Sequence, residues 1–214
     1  MYHTESKKIR DLLVKNISSF KGGTLFAIGD VTVNITGKDG IGGLIEEWFG
    51  VWAEEKGFNI TDPKKNSGSQ MFPDYYVGTD NSLLEVKTFD ATASANFDLA
   101  NFDSYCESVA EFPQRVDADY LIFSYKLEDD ELTIENVWLK KIWEITCPSD
   151  AYPLKIQQKR GVIYKIRPAA WYSSRSQFHT FKSKDEFIEA LYDTQEEYCG
   201  KGGANKEKYR SNLG

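Results

Sequence analysis

The chain has 214 residues, 41% of them hydrophobic and 28% charged, with a formal net charge of −7. That length supports one domain, or a domain with a large subdomain, with a real core, and the composition is that of a globular protein. No apolar run approaches the ~18 residues of a membrane span, no signal-peptide core is visible, and the three widely spaced cysteines Cys106, Cys147 and Cys199 suggest neither a zinc site nor a disulfide framework, so reduced thiols in the cytoplasm are expected.

Ser6 to Ser18 carries Ile9, Leu12, Leu13 and Ile17 at the spacing of an amphipathic helix. Thr24 to Thr36 reads as a hairpin around Gly29-Asp30. Ile41 to Lys56 reads as a second helix, ended by Gly57. Asn59 to Gln70 is polar and rich in Gly, Ser and Lys, which reads as a loop. Met71 to Val77 and Leu83 to Phe89 read as strands, joined by the turn formers Gly78 to Asn81. Phe97 to Glu111 follows as a helix stopped by Pro113. Asp119 to Leu127 and Glu131 to Leu139 read as strands around Asp129-Asp130. Lys140 to Thr146 reads as a short helix, and Val162 to Arg167 as another strand. Ser183-Lys184-Asp185-Glu186 is a capping box that opens a last helix. The Gly/Lys-rich tail from Gly200 is expected to be mobile or ordered by a ligand.

The clearest chemical signal lies on the 71–89 hairpin. Pro73-Asp74 is followed eleven positions later by Glu85-Val86-Lys87. Side chains alternate faces along a strand, so Glu85 and Lys87 point one way while Val86 points into the core. The hairpin brings Asp74 opposite them. Two carboxylates so placed can hold Mg²⁺, a hard cation that prefers oxygen ligands, with Mn²⁺ as a substitute. Such a metal polarises a scissile phosphate and activates water. Lys87 can orient that water or stabilise charge building on the phosphate. Asp80 reads as a turn residue. Asp90 reads as loop structure, with reach to the metal or a phosphate as the alternative.

This pattern resembles the PD-(D/E)xK nuclease superfamily, which includes many type II restriction endonucleases. The resemblance implies an α/β fold with a restriction-endonuclease-like core, a mixed central sheet flanked by helices. It also implies a single nuclease domain over residues 1–214. Ile41-Gly42-Gly43-Leu44-Ile45-Glu46 resembles the helix before the catalytic hairpin in the mismatch-repair nicking endonuclease and related restriction enzymes. Carried over, Glu46 joins the centre as a further metal ligand, and Gly42 and Gly43 let the helix approach the sheet. The alternative is that Glu46 and Glu47 cover a solvent face. Phe97 to Phe102, Arg115 to Phe123 and Val137 to Ile145 resemble the NlaIV/NgoBV-like group of type II restriction enzymes. That group implies double-stranded DNA with the palindrome GGNNCC as target, and a homodimer cutting one strand per subunit. It further implies a cognate methyltransferase that acts on the same site without binding this chain. A repair or recombination nuclease of the same fold, or an inactive DNA-binding module, are the alternatives.

A net negative charge does not exclude a DNA partner, because the charge is uneven. Asp98 to Glu135 holds eleven acidic and two basic residues, whereas Lys155 to Lys184 holds eight basic residues and no acidic one. A local basic field of that kind can meet phosphates, so residues 155–214 are expected to contribute DNA recognition. Lys159, Arg160, Arg175 and Gln177 are candidates for base contacts. Lys64, Lys65 and Lys182 are candidates for phosphate contacts, and Gln70 for a further DNA contact. His3 and His179 have no Ser or Cys partner in a triad pattern. The Gly-rich pieces at Lys21 and Lys201 lack the spacing of a phosphate-binding loop.

Overall fold

A computed structural model describes residues 1–35, 37–38, 40–67 and 72–213, with backbone alone for residues 66 and 67. In chain order its elements are α1 (Thr4–Lys15), β1 (Lys21–Gly23), β2 (Leu25–Ile28), β3 (Val31–Asn34), α2 (Ile41–Glu55), β4 (Ile60–Thr61), α3 (Lys64–Ser67), β5 (Tyr75–Val77), β6 (Ser82–Asp90), β7 (Ala100–Asn101), α4 (Phe102–Glu111), β8 (Asp119–Glu128), β9 (Glu131–Lys140), β10 (Ile156–Lys159), β11 (Val162–Ile166), α5 (Lys184–Cys199) and α6 (Gly202–Ser211). Short 3₁₀ turns cover Ile17–Ser19, Pro113–Asp117 and Ile142–Glu144. The chain divides into two compact units, one of Met1–Ser94 and Asp119–Leu139, the other of Ala95–Ala118 and Lys140–Gly214.

The first unit is built on a six-stranded sheet in the order β1-β9-β8-β6-β5-β4. Strands β6 and β8 run parallel, in register from Leu84 opposite Asp119 to Asp90 opposite Tyr125. The pairs β1–β9, β4–β5 and β5–β6 are antiparallel, so the sheet is mixed, as expected. Its core is an apolar cluster in which Ile9 and Leu13 of α1 and Ile41, Ile45, Phe49 and Trp52 of α2 meet Leu84, Val86, Leu121 and Phe123. Each such side chain, once buried, contributes roughly 1.5–3 kcal/mol. Aromatic edges fill the space between: Phe49 meets Tyr75 at 5.4 Å and Phe20 meets Trp48 at 5.1 Å. The β2–β3 hairpin stands apart as a two-stranded sheet.

The second unit carries the sheet β10-β11-β7 and the helices α4, α5 and α6. Its helices join through aromatic contacts: Phe102 with Tyr198 at 6.4 Å, Tyr105 with Phe187 at 6.4 Å, and Tyr192 with Tyr209 at 6.1 Å. Ser183 caps α5 by accepting from Glu186 N at 3.1 Å. The reciprocal Glu186 carboxylate bonds Lys182 N at 2.7 Å instead of the cap residue's own amide.

Four expectations need correction. The stretch 59–70 is not all loop: Ile60 and Thr61 pair with Val77 and Tyr76, and Asp62 accepts from Lys64 N at 2.8 Å to start α3. The helix expected from Phe97 begins only at Phe102, because Ala100 and Asn101 pair with β11. The helix expected over Lys140 to Thr146 shrinks to a 3₁₀ turn. The tail beyond Gly200 is helix α6, held by buried Tyr209 and by Asn212 Nδ2 donating to Ala110 O at 2.9 Å. Met71, the expected start of a strand, lies outside the described residues. No helix among the described residues is long and apolar enough to cross a membrane.

Candidate active site

The antiparallel pairing of β5 with β6 ends at Tyr75 opposite Leu84, so Asp74 sits one step beyond the ladder beside Glu85. There its carboxylate replaces the missing strand: Asp74 Oδ2 accepts from Val86 N at 2.9 Å. A buried amide that has lost its ladder partner must find another acceptor, and this one draws Asp74 against the Glu85–Lys87 segment. Asp74 and Glu85 are each only 7% exposed. Lys87 Nζ lies 2.6 Å from Glu85 Oε1. Glu85 Oε2 is buried and has no hydrogen-bond partner among the described residues.

Burial pushes the Glu85 carboxyl above the usual carboxylate range, against the pull of Lys87, and the Asp74 charge adds to the rise. Burial alone would lower the Lys87 ammonium, but the carboxylates of Glu85 and Asp74 outweigh it and hold Lys87 above its ordinary value. Lys87 is therefore a stable cation and a hydrogen-bond donor in this state, not a base.

Helix α2 supplies the next member. Gly42, Glu46 and Gly50 recur four apart and so form one stripe on the helix. A Cβ at Gly42 would meet Thr88 Oγ1 at 2.8 Å, and one at Gly50 would meet the Tyr75 hydroxyl at 2.5 Å. The two glycines thus let α2 press on β5 and β6 with Glu46 between them. Gly43, expected to share that role, has open space at its Cβ position. Tyr75 Oη donates to Glu46 O at 2.9 Å. Burial, with the Glu46 charge next, raises the Tyr75 phenol and keeps it a donor. Glu47 points to solvent.

Lys64, expected at a phosphate, has its ammonium between two of these carboxylates. It lies 2.8 Å from Asp74 Oδ1 and pairs also with Glu46 Oε1. Burial would lower this ammonium, but bonds to Asp74 and Glu46 hold it well above the ordinary lysine range. The cluster is therefore Glu46–Lys64–Asp74 joined to Glu85–Lys87. Among the described residues no three His, Cys, Asp or Glu side chains form a ready-made metal cage. The donor set nonetheless suits a hard divalent ion that keeps most of its waters, because such ions need only one or two protein carboxylates. Glu85 Oε2 is the unused ligand oxygen, and the Lys64 ammonium stands where positive charge is wanted.

The remaining site candidates are dispersed. Lys65 pairs with Glu54 at 2.9 Å. Asp90, expected in a loop, is the last residue of β6, where its carboxylate accepts from Thr92 N at 2.8 Å and pairs with Lys38. Asp80 pairs with His3 and Ser82 in the β5–β6 turn. Gln70 lies outside the described residues. Within the second unit, Lys155 donates to Pro168 O, Lys165 and Arg167 pair with Asp98, and Lys184 pairs with Asp117. Lys159, Arg160, Arg175, Gln177 and Lys182 are exposed. Arg160 sits at the β10–β11 turn with φ 54°. Tyr75, Gly50 and the cluster role of Lys64 were missed from sequence. The four-residue recurrence Gly42, Glu46, Gly50 was the signal that could have found Gly50.

Comparison with known proteins gives a consistent result. The model of the NgoBV restriction endonuclease family matches residues 3–212. The chain is 35% identical over 201 residues to the type II restriction enzyme NlaIV of Neisseria lactamica, covering 91% of this chain and 82% of that protein. It is 30% identical over 168 residues to the type II restriction enzyme NgoBV of Neisseria gonorrhoeae, covering 75% of this chain and 93% of that one. A solved structure of the NlaIV restriction endonuclease superposes with a TM-score of 0.87 at 32% identity, over 97% of this chain and 87% of that chain.

Proposed function

Because the chain belongs to the NgoBV restriction endonuclease family, we propose that Asp74, Glu85 and Lys87, with Glu46, form its catalytic centre. The protein is a type II restriction enzyme, a site-specific deoxyribonuclease acting on double-stranded DNA with a divalent metal cofactor. It has the restriction-endonuclease-like α/β fold. The repair and inactive-module alternatives give way to that membership. The observation that carries the assignment is the buried pair Asp74 and Glu85, with Glu85 Oε2 unpartnered and Lys87 Nζ on Oε1.

The metal of this reading is Mg²⁺, with Mn²⁺ as a substitute, held by Asp74 and Glu85 with Glu46 near. When bound, such an ion polarises the scissile phosphate and lowers the pKa of a coordinated water. The chain's own groups do the rest. Asp74 keeps one oxygen on Val86 N and so presents the other in a fixed direction. Lys87, held as a cation, donates to the attacking water or to the phosphate oxygens as charge builds there. Tyr75 and the two glycines keep Glu46 close to Asp74.

Recognition is assigned to residues 155–214, the whole chain serving as one nuclease. Lys159, Arg160, Arg175 and Gln177 read bases, and Lys182 and Lys65 meet phosphates, with Gln70 a further contact. The exposure of Lys159, Arg160, Arg175, Gln177 and Lys182, and the absence of ion pairs at Lys159, Arg160, Arg175 and Lys182 among the described residues, support this division. The target is the palindrome GGNNCC. A two-fold site calls for a homodimer, and a methyltransferase protects the same site without binding this chain. The enzyme works in the cytoplasm beside the DNA it cuts.

The test is cleavage of plasmid carrying GGNNCC sites. Wild type cuts in Mg²⁺ or Mn²⁺ and is silent in excess chelator, and Ca²⁺ supports binding without cutting. Asp74→Asn and Glu85→Gln lose cleavage but keep cognate binding. Cutting at the wild-type rate by either variant removes the assignment.

A further inference from the structure

The β2–β3 hairpin is apolar, exposed and unexplained by the catalytic centre. All eight of its strand residues are exposed. Phe26 pairs with Val33 and Ile28 with Val31. Cross-strand partners share a face, and faces alternate along each strand. Phe26, Ile28, Val31 and Val33 therefore lie on one face, and they are 50%, 69%, 65% and 50% exposed. The base is anchored, because Ile35 N donates to Thr24 O at 2.7 Å and Asn34 Nδ2 to Asp130 Oδ2 at 2.6 Å. A lone two-stranded ribbon is only marginally stable in water, and exposed apolar patches of a few hundred Å² mark interaction sites.

We propose that this face is the contact through which two copies of the chain associate, an inference that rests on the homodimer reading given above. Charge argues against DNA as the occupant. From Gly22 to Gly37 there is no Lys or Arg, and Asp30 at the tip is the sole charged residue. Phosphate contacts need cations. Stoichiometry argues for a second copy, since two strands must be cut and each chain carries one Asp74–Glu85–Lys87 centre. A two-fold contact uses the same patch on both partners, and a four-residue apolar face can stack on its own copy. Two such faces alone fall short of the roughly 800 Å² per partner of a standard interface. The adjoining cavity of about 370 Å³, lined by Leu25, Leu44, Trp48 and Ile134 at the hairpin base, offers the additional apolar surface.

The experiment is sedimentation velocity on the full chain, free and on a cognate duplex in Ca²⁺. Wild type is compared with Phe26→Asp/Val33→Asp and with the strand-compatible pair Val31→Thr/Val33→Thr. Thermal unfolding confirms that each variant is folded. The expected result is a wild-type dimer, a monomeric Asp variant, and a Thr variant whose dimer Kd rises at least tenfold. As a second measurement, Ile28→Cys in a Cys199→Ser background is expected to cross-link into dimers with a short bis-maleimide. A wild-type dimer whose variants dimerise with unchanged Kd overturns this inference and leaves the homodimer reading standing. A wild-type monomer in both conditions overturns both. Variants that keep the dimer but lose duplex affinity make DNA the occupant and also overturn the inference.

Discussion

Removing the Lys64 ammonium is the sharpest test of the proposed metal position. Lys64→Met keeps the length of the side chain and deletes its charge from between Asp74 and Glu46, whose side chains are 9% and 26% exposed. At about 4 Å and an effective dielectric of about 20, each ion pair is worth ~4 kcal/mol gross. Much of that is offset by the cost of desolvating the charges, so the variant without metal is expected to lose about 1–3 kcal/mol of stability. The same change vacates the cation position. Recovering only a third of one pair's gross attraction, ~1.4 kcal/mol, tightens metal binding tenfold. The assay is calorimetric titration of Ca²⁺ into the DNA-free protein, with thermal unfolding in chelator and in Ca²⁺. Expected are a Ca²⁺ Kd at least about tenfold below wild type and a stability deficit that Ca²⁺ removes. A variant that binds Ca²⁺ no more tightly than wild type refutes the idea that the ammonium stands where the metal goes.

Three other outcomes follow from the same geometry. Arg160→Ala or Arg175→Ala is expected to cost about 1–3 kcal/mol on cognate duplex and little on random sequence, whereas Lys182→Ala weakens both alike and lowers the salt slope by about one; binding in Ca²⁺ across salt concentrations decides it. Hydrogen bonding from Lys38 holds the Asp90 carboxyl down at about 2. Its contribution is therefore present above the unfolded value near 3.9 and lost as pH falls toward about 2. Its partner Lys38 is half-exposed, so solvent screens the pair, and Asp90→Asn should cost about 1 kcal/mol or less at neutral pH, an effect that shrinks as pH falls and vanishes only below about pH 2; denaturant midpoints at several pH values measure this. Gly50→Ala should destabilise by about 1–2 kcal/mol and slow cleavage, because the added methyl meets the Tyr75 ring and overpacking outweighs the gain in helix propensity; a more stable, fully active variant would show that Tyr75 yields freely.

Much of the first unit was legible because its signals are local. Alternation and turn formers located β5 and β6, apolar spacing located α1, and Gly57 marked the end of α2. What was not legible depends on distant partners. Strand β1, only Lys21–Gly23, exists because it pairs with Glu131–Thr133 across more than a hundred residues of chain. Helix α6 begins Gly-Gly and has poor intrinsic propensity; burial of Tyr209 against Tyr192 carries it. Within the site, Pro73-Asp74 and Glu85-x-Lys87 were readable as a pair because one hairpin joins them. Lys64 was not, since a lysine in a polar stretch looks like any surface charge until α3 turns it toward Asp74. The basic block was half informative: Lys155, Lys165, Arg167 and Lys184 are engaged within their own unit, which composition alone cannot reveal.

The bond from Val86 N to Asp74 Oδ2 has a practical consequence. This amide sits where the β5 ladder has stopped, and its acceptor is a side chain rather than a neighbouring backbone. Its proton resonance therefore reports on the charge and position of one catalytic carboxylate, without a label and without DNA. Protonating Asp74, or turning it toward a cation, is expected to move that peak, because it changes the acceptor of the bond itself. The enzyme carries its own spectroscopic gauge of the centre, one that can be read in a protein that never cuts.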